Sequence, residues 1–116
     1  MAGNQKKMAF DLLLNDLPVG VWRQAPGKKG KVLFVNDALC RFLDYGRAEL
    51  LQLEPEKIFV SRQTWLAFIR SVAAEKPVVR KKAVLQGKAK KKIEVWLSVV
   101  FVRNARGRLQ CIDVVV

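Results

Sequence analysis

The chain has 116 residues, of which 22 are lysine or arginine and 10 are aspartate or glutamate, so its formal net charge is +12. This length supports one domain with a hydrophobic core of its own. The absence of histidine excludes the commonest metal and haem ligand and the usual general base at neutral pH. Cys40 and Cys111 lie far apart in apolar runs, which indicates free buried thiols rather than a disulfide.

The sequence gives no sign of a membrane segment. Its apolar runs fall well short of the roughly 20 residues that cross a bilayer, and residues 1–7 do not resemble a cleavable signal. Together with the free thiols, this predicts a soluble cytoplasmic protein with no membrane span. The excess of positive charge makes nucleic acid or an anionic surface a partner to consider.

The N-terminal residues are predicted to form a short amphipathic helix. From Gln5 to Asn15 apolar side chains recur at helical spacing, Met8 and Leu12 among them, and Pro18 prevents the helix from continuing. We assign residues 1–17 to this lead-in helix and residues 18–116 to the main domain.

The next segment predicts a hairpin of two strands followed by a helix. Val19–Gln24 and residues 30–35 are apolar runs of strand type, separated by a turn that begins at Pro26 and Gly27. Asn36 is placed to cap the helix, because its side-chain oxygen can accept amide protons of the first turn. Gly46 is expected to end this helix in a left-handed conformation.

Further helical pieces occupy the middle of the chain. Arg47–Leu51 is long enough for a single turn, and Pro55 is suited to begin another. Ser61 predicts the cap of the longest helix, which is expected to reach about Glu75.

The last third of the chain predicts three strands, at residues 78–86, 93–102 and 109–116. In the second, Ile93, Val95 and Leu97 alternate with Glu94 and Trp96, so that one face is apolar and the other is mixed. A turn at residues 104–107 joins the last two strands. The order of elements predicts an α+β fold, a five-stranded antiparallel sheet with short helices over one face and the N-terminal amphipathic helix added.

Four segments of the chain together resemble the sequence pattern of PAS domains, the sensory-box family. They are Leu17–Trp22, Gly30–Asn36, Tyr45–Leu51 and Asn104–Gly107. Asp44 departs from the pattern at a position where a small residue is frequent. The resemblance implies a PAS fold and a sensory or protein-interaction module, typically of a bacterial histidine kinase, diguanylate cyclase or transcription regulator. It also implies that the usual exit motif would lie just beyond Val116.

The resemblance does not extend to the cofactor-binding subclasses. In the flavin-binding LOV subclass the reactive cysteine follows the segment that corresponds to Glu49–Leu51, whereas Cys40 precedes it. The haem subclass uses an axial histidine, which this chain lacks. We therefore predict no cofactor and no metal, and allow for a small hydrophobic ligand.

The strand alternation predicts two candidate sites, a pocket and an exposed sheet face. The first is a candidate pocket between sheet and helices, for which a plain packed core is the alternative interpretation; it comprises Leu39, Leu43, Phe59, Leu66, Ile69, Val95, Leu97, Val99, Ile112 and Val114. The second is an apolar sheet face for a homodimer; it comprises Met8, Leu12, Trp96, Val100, Val102, Leu109, Cys111 and Val115.

These observations predict a non-catalytic sensory and dimerisation module that regulates an attached output domain. Ser61 and Ser98 have no histidine to activate them, and the spacing of the carboxylates does not suggest a catalytic pair. The alternative is a basic module that contacts nucleic acid or an acidic partner through its loop cations. Those are Lys28, Lys29, Lys31, Lys88, Lys90, Lys91, Lys92, Arg103, Arg106 and Arg108. The lack of interleaved aromatic residues argues against nucleic acid.

Overall fold

The computed structural model describes residues 15–27 and 29–116. Its helices are α1 (Asp37–Leu43), α2 (Arg47–Gln52) and α3 (Arg62–Ala73), with 3₁₀ turns at Pro55–Ile58 and Lys88–Lys90. Its strands are β1 (Val21–Gln24), β2 (Val32–Val35), β3 (Lys81–Gln86), β4 (Lys92–Arg103) and β5 (Leu109–Val115). The predicted lead-in helix, with Met8 and Leu12, lies outside the described residues, as does Lys28.

The five strands form one antiparallel sheet in the order β2-β1-β5-β4-β3. The first strand thus pairs with the last at the centre of the sheet, and β2 and β3 form its edges. This confirms the α+β prediction of a five-stranded antiparallel sheet. Because the helices lie between β2 and β3 in sequence, the chain crosses one face of the sheet once before it returns to the opposite edge.

The core lies between this inner sheet face and the helices. Trp22 is opposite Val114, and Val114 is opposite Val99, so these side chains share the inner face. Phe59 packs against it with Phe68 of α3, their ring centroids 5.0 Å apart. The edge of the Phe59 ring meets Trp22 at 90° and a centroid distance of 6.1 Å, a geometry that aromatic pairs favour.

Two predicted helix caps are confirmed. Asn36 has an extended backbone, and its Oδ1 accepts the amide proton of Leu39 at 3.0 Å. Ser61 likewise accepts from the amide of Thr64 at 3.2 Å. Each cap satisfies a donor that the first turn of a helix leaves free.

The prediction for the end of the first helix was wrong. Asp44, not Gly46, ends α1 in the left-handed region, with φ = 61°, and its amide donates to the carbonyl of Arg41. Gly46 has φ = −69° and begins α2 as its N-cap. A short polar aspartate tolerates left-handed backbone better than most residues, so the departure from the PAS pattern at Asp44 lies at the position that carries this strain.

Three predicted ends also need correction. Val19 lies outside β1, and the longest helix stops at Ala73, before Glu75, which has φ = 53°. Val78 lies outside β3, because Arg80, at φ = 50°, interrupts the extended backbone before Lys81. Val78 is nevertheless buried, and its carbonyl accepts the amide proton of Val99 at 2.8 Å.

Candidate functional site

A cavity of about 180 Å³ lies between α3 and β3. Its apolar lining comes from Phe59, Ala67, Phe68, Val78, Ala83, Val84 and Leu97, and its polar lining from Thr64, Ser71, Lys81 and Lys82. We call this space the α3–β3 cavity.

One face of α3 forms the first wall. Thr64, Ala67, Phe68 and Ser71 are spaced at three and four residues, so the helix presents them on a single stripe. The alanine is small enough to leave room beside Phe68. The sequence contains this stripe, but its small and polar members make it a weak signal for a core-facing surface.

Strand β3 forms the second wall. It is an edge strand, with β4 on one side and a single bridge from Leu85 to Phe59 on the other. Lys81 is opposite Leu97, which is buried on the inner face, so Lys81 projects to the same side. Lys82 alternates to the outer face, where its Nζ lies 5.3 Å from the centroid of the Trp96 ring.

The polar side chains of the cavity differ in what they can offer a ligand. The Thr64 hydroxyl donates to the Ser61 carbonyl at 2.8 Å, and the Ser71 hydroxyl donates to the Ala67 carbonyl at 3.2 Å. Both hydroxyl protons are thus engaged within the helix. The lining contains no acidic side chain and no thiol.

The predicted pocket residues are divided between this cavity and the packed core. Phe59 and Leu97 line the cavity. The other eight belong to the core: Leu39, Leu43, Ile69, Ile112 and Val114 are buried in it, and Leu66, Val95 and Val99 are half-buried against it. Large aromatic side chains, Trp22 and Trp65 among them, fill the space that the alternation pattern left open.

A buried amide inside the core was not predicted. Gln24 is fully buried, and its Oε1 accepts the indole proton of Trp22 at 2.8 Å. Its Nε2 has no hydrogen-bond partner within the described part of the chain. Gly30 lies so close, at φ = +55°, that an added Cβ would be 2.9 Å from this nitrogen, which explains why a glycine follows the turn.

The outer sheet face carries the described members of the predicted dimer surface. Trp96 is 57% exposed and Val100 is 51% exposed, while Val102 and Val115 are half-buried. Cys111 is buried, and Leu109 is half-buried with a contact to the core. Among the predicted dimer residues that the structure describes, the exposed apolar area comes mainly from Trp96 and Val100 of β4.

An ion pair lies beside this surface and was not anticipated from sequence spacing. Arg23 of β1 binds Asp113 of β5 through two hydrogen bonds, Nε to Oδ1 at 2.8 Å and Nη2 to Oδ2 at 3.1 Å. Their side chains are only 12% and 9% exposed. The two residues are 90 positions apart, and only the pairing of the first strand with the last brings them together.

The loop cations do not form one patch. Lys29 and Lys31 lie by the β1–β2 turn, at the end of the sheet that also carries the β4–β5 turn with Arg106. The cations that begin at Lys88 lie at the start of β4, whose 12 residues at about 3.3 Å each separate the two ends by roughly 36 Å. Because the loop cations are split between opposite ends of the sheet, the structure does not favour the alternative of a basic binding module.

Other chemistry finds little support in the described residues. Within residues 15–27 and 29–116, no group of three potential metal ligands comes together, and no helix is long and apolar enough to cross a membrane. Cys40 is half-buried on α1, outside the α3–β3 cavity. Burial raises the pKa of its thiol, which keeps it protonated and poorly reactive.

Comparison with solved structures identifies the fold. A PAS domain of a two-component sensor histidine kinase superimposes with a TM-score of 0.73 at 22% identity, covering 98% of this chain and 97% of that one. A domain of a sensory box sensor histidine kinase/response regulator from Geobacter sulfurreducens gives 0.73 at 19% identity, with 95% and 92% covered. The fold is that of a PAS domain.

The PAS fold also extends to a distant photoreceptor. The fungal blue-light photoreceptor Vivid, in its light-state dimer, matches with a TM-score of 0.71 at 13% identity, covering 86% of this chain and 77% of that one. No family model matches the sequence, and no curated protein matches it significantly. Similarity at these identities establishes the fold alone.

Proposed function

We propose that this PAS domain is a non-catalytic sensory and dimerisation module of a signal-transduction protein. A small hydrophobic ligand in the α3–β3 cavity is the signal, and a homodimer through the outer sheet face passes it to an attached output domain, such as a histidine kinase or a diguanylate cyclase. The comparison structures support a sensory role, because two of them come from sensor histidine kinases.

The exposure of Trp96 and Val100 is the observation that carries the proposal. Both lie on β4, on the sheet face away from the helices, and each exposes more than half of its side chain, 57% and 51%. Large exposed apolar surface on a sheet indicates an interaction site. In a two-fold symmetric homodimer, this surface would be buried against the same surface of a second copy. The light-state dimer of Vivid is an example of a similar fold that dimerises.

Sedimentation velocity across a micromolar concentration series tests the dimer. We expect association of the wild-type chain, and a monomer for V100E, because a carboxylate at the centre of an apolar contact would be desolvated without a partner. The matched control is L51E, which places the same charge on an exposed leucine of α2, away from the sheet face. A wild-type monomer at high micromolar concentration, or equal dissociation by L51E, would overturn the proposal.

A further inference from the structure

We infer that the ligand of the α3–β3 cavity is a small apolar carboxylate, a single ring or short branched chain that bears one acidic group. The inference rests on the proposed function, because it names the chemical class of the ligand for the same cavity. Three observations lead to it: the volume, the composition of the walls, and the strand register of one exposed lysine in the lining, Lys81.

The volume limits the apolar body. An apolar protein cavity of about 150 Å³ holds benzene, so a space of about 180 Å³ suits one ring or its aliphatic equivalent. Phe59, Phe68 and Leu97 are buried and give this body apolar contacts. A nucleotide or a flavin is too large for this volume.

The walls determine the polarity of the head group. The Thr64 hydroxyl donates to the Ser61 carbonyl and accepts from the Ser61 amide and hydroxyl, and the Ser71 hydroxyl donates to the Ala67 carbonyl, so neither hydroxyl is free to donate to a ligand. The remaining side-chain donors are lysine ammonium groups, and the lining has no carboxylate that would neutralise them. A ligand that supplies acceptors and negative charge therefore fits, whereas a cation does not.

The geometry of β3 selects Lys81 as the residue that binds the carboxylate. Its register opposite Leu97 directs it to the inner side of the strand, next to the apolar contacts. The ammonium of Lys82 lies over the Trp96 ring on the other face. Lys82 also lines the cavity, but its ammonium is held at Trp96, so Lys81 is the lysine whose ammonium is available to a ligand head group.

Calorimetric titration of the full chain with phenylacetate and with 2-phenylethanol, its neutral analogue of similar size, tests the inference. We expect phenylacetate to bind more tightly, and K81M to weaken it by about three- to tenfold, which is within the range of a typical net hydrogen bond. K81M should leave 2-phenylethanol unchanged, because the effect depends on the charge. The matched control is K92M, which removes an exposed lysine of β4 that does not line the cavity and should change phenylacetate affinity by less than about twofold.

A third variant tests whether the two compounds bind inside the α3–β3 cavity. A83L fills the space beside β3 and should abolish binding of both compounds, with the thermal melting temperature reporting that the variant is folded. Equal affinity for the two compounds, or as large a loss of phenylacetate affinity in K92M as in K81M, would overturn the carboxylate assignment and leave a ligand-binding sensor intact. Binding of neither compound at millimolar concentration would overturn both the assignment and the ligand-sensing part of the proposed function.

Discussion

At the scale of single residues, Asn36 connects the first strand to the first helix. Besides capping α1, its Oδ1 accepts the amide proton of Val21 at 2.9 Å, and its Nδ2 donates to the Val19 carbonyl at 2.8 Å. The side chain is fully buried. Its hydrogen bonds fix the β1 backbone against α1, so Asn36 has a structural role and makes no contribution to the α3–β3 cavity.

Replacing Asn36 with alanine should lower the free energy of unfolding by about 3 kcal/mol. Loss of a cap contributes about 1 kcal/mol, and buried backbone groups left unpaired contribute about 1–3 kcal/mol more. Urea denaturation measures the change. The matched control is S61A, which removes an exposed cap and should lower stability by only about 1 kcal/mol. Equal losses for the two variants would contradict the role of Asn36 in holding β1.

At the scale of elements, the junction between α1 and α2 depends on one strained residue. Asp44 carries the left-handed backbone at φ = 61°, although Gly46 lies two positions away. The sequence alone points to the glycine, because glycine adopts this conformation without steric penalty. The observed register is set by packing, since Leu43 and Leu50 are both fully buried and fix the two helices in place.

Substitutions of Asp44 and of Gly46 should therefore have unequal effects on the free energy of unfolding. We expect D44G to raise the free energy of unfolding by about 0.5–1 kcal/mol, because it relieves the left-handed strain. G46A should change stability by less than about 0.5 kcal/mol, because a φ of −69° suits any residue. Chemical denaturation of both variants measures the change in the free energy of unfolding. A large loss of stability in G46A, with no gain in D44G, would support Gly46 rather than Asp44 as the left-handed end of α1.

The contact between α2 and the β3–β4 turn should make a pH-dependent contribution to stability. Glu49 accepts a hydrogen bond from Lys88 at 3.1 Å, and this bond, with a weaker contribution from the Gly46 amide, lowers the pKa of Glu49. A lowered folded-state pKa means that the contribution is present above the unfolded-state value, about 4.3, and is lost as pH falls through the folded-state value.

Thermal melting of wild type and K88M between about pH 3 and 7 tests this dependence. We expect K88M to melt slightly lower at neutral pH, and the difference to vanish once Glu49 is protonated at acidic pH. The effect is small because both partners are exposed to solvent and screened by salt. A difference that persists unchanged at the acidic end would show that Lys88 acts through something other than Glu49.

At the scale of the whole molecule, Arg23 and Asp113 tie the first strand of the sheet to the last. Their bidentate pair is mostly shielded from water on the outer face, next to the exposed apolar surface of β4. A buried pair of this kind adds little stability relative to apolar residues of similar size. It does, however, favour the pairing in which Arg23 meets Asp113, and so supports the β1–β5 register.

Breaking this pair from one side should be much more damaging than removing both charges. We expect D113N to lower the free energy of unfolding by about 3–5 kcal/mol, because the Arg23 charge loses its bidentate partner in a shielded position. The double variant R23M/D113L should recover much of that loss. Urea denaturation of R23M, D113L and the double variant measures the coupling, with D113N as the isosteric single variant, and strictly additive losses would contradict it.

The sequence by itself determined the type and order of the described elements, the caps at Asn36 and Ser61, and the inner and outer faces of β4. These features depend on local chemistry and on periods of 2 and 3.6 residues, which are visible in any short stretch. Tertiary structure decided the remainder. The α3–β3 cavity depends on how Trp22 and Trp65 fill the centre of the core, which leaves space beside Ala67 and Ala83. Likewise, the Arg23–Asp113 pair and the inward position of Lys81 depend on strand register, which joins residues that no local pattern connects.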